Sequence, residues 1–227
     1  SVKSRGLGDV YKRQLIDTSP DMRNQLLNAG VGSLDGVLYT HSHADHVHGL
    51  DDLRMIFFNM RKRIDVWADQ ATQNDLIERF KYAFVQPDDS PYPPILNLNT
   101  LDGITELYGD GGPINFFPFQ VKHGNVNALG FRIGPLVYLP DVSEMSKEAW
   151  EEVKKAKCWI LDALRRNPHP SHSHLENSLE WIKISGIDKA ILTNMHVDLD
   201  YETLIKETPK NVEPAFDGMV LDFEFAI

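Results

Sequence analysis

Cysteine is almost absent from this chain. A single thiol, Cys158, gives no disulfide framework, so a reducing cytoplasm is the expected setting. Cys158 lies in the apolar run Lys157-Cys158-Trp159-Ile160-Leu161 and reads as a buried small hydrophobe. No apolar run reaches the roughly 20 residues that span a bilayer. Nor does any N-terminal stretch join a basic start to a long apolar core, so neither a membrane partner nor a secretory leader is expected. Positive charge is scarce as well: 23 Lys and Arg against 33 Asp and Glu leave a net charge of -10. A protein that grips a long nucleic acid neutralises phosphates with a basic patch, and the scattered basic residues argue against such a partner. Arg61-Lys62-Arg63 is explained by the end of a helix, where positive charge complements the dipole. The 227 residues, 42% hydrophobic and 25% charged, suffice for one well-buried domain. Oligomeric state is left open, a homodimer included.

Strand-like and helix-like segments alternate without repeats, which is an α/β pattern with mixed strand directions. Ser19-Pro20-Asp21 starts a helix that Gly30 ends, and Asp69 starts another toward Phe84. Further helices are expected over Lys147 to Lys155, Leu175 to Ser185 and Tyr201 to Lys206, the last announced by Asp198 and Asp200. The segment Gln86 to Asn99 carries Pro87, Pro91, Pro93 and Pro94 and reads as a loop or extended lid, with Tyr92 as its own anchor. Asp217-Gly218 reads as a hairpin turn between Val212 to Phe216 and Met219 to Phe225.

The stretch Thr40 to Arg54, THSHADHVHGLDDLR, packs three histidines and an aspartate at HxHxDH spacing behind the strand-like run Gly36 to Thr40. In the extended segment after the strand, His41 and His43 project from one side, and Asp45 and His46 follow at the mouth of the next helix. Two pairs of ligands can then face two ions. Imidazole and carboxylate together suit zinc, manganese or iron and keep positions open for water. His48 lies outside the pattern and reads as solvent-facing or as a support to a ligand. Asp51 and Asp52 fit two roles equally, charge at a helix N-terminus and orientation of a metal-bound histidine.

The block resembles the signature of the metallo-β-lactamase superfamily. That resemblance implies an αβ/βα sandwich holding two divalent metal ions, Zn²⁺ or Mn²⁺, and three further ligands at strand ends: His123, a bridging Asp141 and His196. It places His41, His43 and His123 on one metal, Asp45, His46 and His196 on the other, and Asp141 between them. An Asp at the bridging position, where lactam-hydrolysing relatives use Cys, argues against lactam hydrolysis.

GLDDLR and the block Ile191 to Leu204, ILTNMHVDLDYETL, are similar to the branch containing phosphoribosyl cyclic phosphate phosphodiesterases. Relatives often read Thr-His-Met-Ser-His where this chain has Thr193-Asn194-Met195-His196-Val197. The resemblance implies a dinuclear phosphodiesterase of small or cyclic phosphate esters, acting through a metal-bridging hydroxide with Asp45 and Asp141 at the reaction centre. A proton donor is needed because an alkoxide leaves poorly at neutral pH, and His174, or else His172, matches by position. Arg165 and Arg166 are weaker candidates for phosphate contact. Rival readings are a thioesterase or lactonase on the same metals, a tRNA-processing nuclease, and a catalytically silent metal-binding scaffold.

Residues Ser1 to Gln14 do not share the resemblance. Asp9-Val10-Tyr11-Lys12-Arg13-Gln14 reads as a translated sequencing-library tag. Residues 1–14 are therefore expected to be a non-native leader and 15–227 the hydrolase domain, lacking its first strands.

Overall fold

Short runs that are apolar on both faces become inner strands of parallel sheets, because helices or loops cover both sides. Gly36–Leu38 (β2) is such a run, with Val37 and Leu38 wholly buried. The computed structural model describes residues 13–109 and 112–223, which fall into two compact units, one of residues 13–109, 112–114 and 220–223 and the other of residues 115–219. In the first unit, β1 (Gln14–Ile16), β2, β3 (Ile64–Ala68) and β4 (Leu96–Thr100) form one all-parallel sheet in that order. Three helices serve it: α1 (Met22–Asn28), α3 (Leu53–Met60) and α4 (Gln70–Phe84). A single turn, α2 (Ala44–Val47), carries the histidine motif. The core gathers Val37, Tyr39, Leu50, Leu53, Val66 and Leu76 with their neighbours. Thr105–Gly109 (β5) ends this part of the chain.

In the second unit, strands β6 (Gly112–His123), β7 (Val126–Ile133), β8 (Leu136–Leu139), β9 (Cys158–Asp162), β10 (Lys189–Thr193) and β11 (Val212–Pro214) lie in the order β11-β10-β9-β8-β7-β6. The stretch from β6 to β8 is antiparallel and that from β8 to β11 parallel. Helices α5 (Lys147–Val153), α6 (Leu175–Ser185) and α7 (Tyr201–Glu207) complete the unit around a core that includes Phe119, Val137, Trp159, Leu161 and Leu192. This mixed α/β chain with two sheets is the fold class expected from the sequence.

Several expected boundaries are realised through the expected chemistry. Asp69 accepts a hydrogen bond from Thr72 N at the start of α4, and Asp200 one from Thr203 N at the start of α7. Other expectations change. The proline-rich segment is a loop only to Ile95, because Leu96-Asn97-Leu98-Asn99-Thr100 alternates as a strand does and pairs with β3. Tyr92 is 74% exposed rather than packed as an anchor would be. Asp217-Gly218 does make a turn, with Gly218 at φ +88 and Met219 N bonded to Phe216 O, but Met219 to Phe223 is not a strand among the described residues. The expected leader falls on undescribed residues up to position 12; Arg13 N bonds to Asp35 Oδ2, and Gln14 opens β1.

Candidate metal centre

Ligands in α/β sheets gather beyond the carboxyl ends of parallel strands, and both units follow this rule. In the first, β1 delivers Asp17 and β2 leads through Tyr39 and Thr40 to His41. Asp17 takes the left-handed conformation (φ 59), which Asp tolerates better than most residues, and this turns its carboxylate inward. It accepts from Thr40 N and Thr40 Oγ1 at 2.8 Å and from His46 Nδ1 at 2.7 Å. Because the Thr40 hydroxyl donates to Asp17, it accepts at 3.0 Å from His41 Nδ1. His41 and His46 are thus both held with the proton on Nδ1 and the lone pair on Nε2, as a supported metal-ligating imidazole requires. The ring of His41 lies 4.5 Å from that of His43 and 4.3 Å from that of His46. Burial pushes the Asp17 carboxyl up, opposed by His46 and Thr40. His46 Nε2, the nitrogen with the lone pair, lies 3.4 Å from Asp45 Oδ2.

Glycine is required nearby. A Cβ on Gly49 would stand 2.0 Å from the Ser19 carbonyl oxygen, so the GLDDLR segment passes the loop after β1 only with glycine there. The acidic pair that follows orients no histidine. Asp51 pairs with Arg54 at 2.7 Å, and Asp52 sits at the head of α3 without a capping bond. The supporting carboxylate is Asp17, which sequence inspection missed because its partner His46 is 29 positions away. His48 is exposed, its ring edge-on to Phe80.

In the second unit, β6 ends at His123, β8 leads to Asp141, β9 ends at Asp162, and β10 is followed by Asn194. His123 Nδ1 donates to the Ser171 carbonyl at 2.6 Å; a carbonyl can only accept, so the neutral ring carries its lone pair on Nε2. That nitrogen faces Asp141 Oδ1 at 3.8 Å with both residues 1% exposed. A lone pair confronting a buried carboxylate is an arrangement a shared cation resolves. The Ser171 carbonyl reaches His123 only because Gly124 (φ +61) leaves room: a Cβ there would lie 2.7 Å from Ser171 Cβ. His123, Asp141 and His172 each offer a ligand atom within 4.8 Å of the others. Asn194, in the left-handed region (φ 58), donates to Asp141 Oδ1 at 3.1 Å.

His172 Nδ1 lies 3.0 Å from Asp162 Oδ2 and 3.3 Å from Asp141 Oδ1. Burial pushes the Asp162 carboxyl up to about 7; His172 opposes this and the Asp141 charge adds to it. The other residues expected here are placed differently. The His196 side chain is 59% exposed and bonds to Asp198 at 2.9 Å, outside the His123, Asp141 and His172 cluster. His174 stands half-buried at the head of α6 and makes no capping bond. Arg165 is committed to the carbonyls of Asn167 and Pro168, and Arg166 to Glu207.

The donor sets of both units, neutral imidazoles with supported Nδ1–H groups beside carboxylates, fit divalent metal ions. No helix among the described residues is long and apolar enough to cross a membrane. Comparison with known proteins gives three informative relatives. A crystal structure of a diphosphatase from the PhnP family shares 33% identity, with a TM-score of 0.84, over 94% of this chain and 81% of that one. An octanoyltransferase of Porphyromonas gingivalis is 34% identical over 93% of this chain and 42% of its own length. A ribonuclease Z of Bradyrhizobium sp. is 30% identical over 53% of this chain and 40% of its own length. The chain thus spans about two-fifths of the curated relatives it matches. A family model described as the beta-lactamase superfamily domain matches residues 12–196, and the chain belongs to that superfamily.

Proposed function

We propose that the chain is a metal-dependent hydrolase, and specifically a dinuclear phosphodiesterase acting in the cytoplasm on a small or cyclic phosphate ester. The observation that carries this reading is the set of imidazoles locked with Nε2 toward carboxylates, His46 toward Asp45 and His123 toward Asp141. The ligand assignment is His41, His43 and His123 for one ion, Asp45 and His46 for the other with His196, and Asp141 shared. Divalent ions in such a set would acidify water toward neutrality and neutralise charge developing on phosphate oxygens. The chain's own residues do the rest. Asp17, Thr40 and the Ser171 carbonyl hold the ligand rings in one tautomer, Asn194 restrains Asp141, and His172 or His174 supplies the proton that the leaving oxygen needs.

A phosphorus centre is supported by the similarity to a PhnP-family diphosphatase, which also favours a second reading, cleavage of a diphosphate link. The net charge of -10 favours a small substrate over a long RNA. The test is cleavage of a ribose cyclic phosphate and of a nucleoside diphosphate ester by the full chain, with metal content measured in the same sample. Turnover of the cyclic ester with about two ions bound, lost by at least about 1000-fold in Asp141→Asn, is the expected result. Full activity in Asp141→Asn would remove the shared-ligand assignment. Turnover of the diphosphate alone would move the reading to the second substrate, and turnover of a thioester alone would end the phosphodiesterase reading.

A further inference from the structure

The turn that carries the histidine motif, α2, has four residues, and His43 at its head makes no capping bond through its side chain. A single turn is too short to hold its own geometry in water, so the path of the segment leading into it is set from outside. His41 is fixed from the β2 side by the Thr40 hydroxyl. Between His41 and the extended His43 stands Ser42, directed to the other side of the segment. That side meets α4. The Ser42 hydroxyl donates to Asp75 Oδ2, and Arg79 Nη1 donates to the Ser42 carbonyl at 2.5 Å. One turn of α4 therefore holds Ser42 both by its side chain and by the peptide that leads into His43. Phe80, the next residue, meets the His48 ring at 6.1 Å, so the helix follows the motif to its far end. Arg79 and Asp75 are also an i,i+4 pair with both side chains 41% exposed, and such pairs contribute little by themselves. The distances decide which partner the guanidinium serves. Arg79 Nη2 stands 3.6 Å from Asp75 Oδ2, well beyond the 2.5 Å of the bond to the Ser42 carbonyl.

We infer that Arg79 and Asp75 are positioning residues for the first histidine pair: they fix the Ser42 peptide, and with it the separation of the His41 and His43 rings, 4.5 Å between centroids, ahead of metal binding. The inference rests on the reading that His41 and His43 ligate one ion. It assigns neither α4 residue a contact with the ion or with substrate. In physical terms, a ligand pair already at its bound spacing does not spend binding free energy on ordering its loop, and a loop released from α4 must.

The test is cobalt(II) titration of the metal-free full chain, read by the visible absorption of the bound ion, with the melting temperature of each metal-free variant recorded beside it. Arg79→Ala is expected to weaken cobalt binding by roughly 10- to 100-fold and to alter the absorption band, because the peptide before His43 is released. Its melting temperature should move by no more than about 3 °C, as the loss of a half-exposed ion pair implies. Ser42→Ala should weaken binding by about fivefold, and Ser42→Thr, which keeps the hydroxyl, should restore it. Unchanged cobalt affinity and absorption in Arg79→Ala overturn the inference. So does a loss of affinity with a larger fall in melting temperature, which marks a general structural role. If Arg79→Ala does not fold, Ser42→Ala decides by the same readings. His43→Ala separates two kinds of failure. Wild-type cobalt binding in that variant means that the ligand reading has failed and takes the inference with it; weak binding there beside wild-type binding in Arg79→Ala means that the inference alone has failed.

Discussion

The two units support their histidines by different means. In the first, three histidines lie within six residues of sequence, and a carboxylate just past the end of β1, Asp17, holds His46 directly and His41 through the Thr40 hydroxyl. In the second, His123 and His172 are 49 positions apart; one ring is held by the backbone carbonyl of Ser171 and the other by Asp162. A carboxylate inside a strand framework tolerates little change, because several buried donors share it. A carbonyl on a loop depends instead on the path of that loop, which a single glycine permits.

This contrast can be broken first at Asp17. Asp17→Ala strands the Thr40 N–H, the Thr40 hydroxyl and His46 Nδ1–H in a buried place, and a loss of about 3 kcal/mol or more in denaturant unfolding is expected. Zinc titration of whatever folds should show affinity lower by about 10- to 100-fold. If stability and affinity both held, the carboxylate would not be the keystone of that unit.

Gly124→Ala should be milder. Its left-handed backbone and the approach of Ser171 predict a loss of about 1–3 kcal/mol and a weaker hold on His123, seen as roughly tenfold lower zinc affinity. An unchanged protein would mean that the loop yields at no cost.

Cys158 measures the second core by pH. Burial pushes its thiol up to about 11 from its ordinary value near 9, so the neutral form is favoured on folding. The resulting stabilisation is complete below about pH 9 and is lost as pH rises through about 11. At pH 8, alkylation of the native chain by iodoacetamide should be at least about tenfold slower than of urea-unfolded chain. Equal rates would show that the strand opens readily.

Smallest of all is Arg166→Ala, which breaks a half-exposed pair with Glu207. Stability within about 0.5 kcal/mol and unchanged KM are expected. A large rise in KM would return this arginine to the substrate.

Much of the site could be read from sequence, for local reasons. HxHxDH spacing concentrates ligands in one segment, and apolar runs ending at His123 and before Asp141 mark strand ends. The caps at Asp69 and Asp200 act within three residues. The strand Leu96–Thr100 was obscured by its prolines, although its alternation was visible. His196 has the right order in the chain, and its neighbour Asp198 takes up its Nδ1 on an exposed loop.

By itself the sequence determined which residue types lie at the strand ends, because burial periodicity and cap chemistry act over a few residues. Only the tertiary structure decided which nitrogen of His46, His123 and His172 carries the proton. That choice is made by single acceptors on other strands and loops, Asp17 at 29 positions from His46, Ser171 at 48 from His123 and Asp162 at 10 from His172. No local pattern encodes such partners, since a hydrogen bond selects by distance in space and not by separation along the chain.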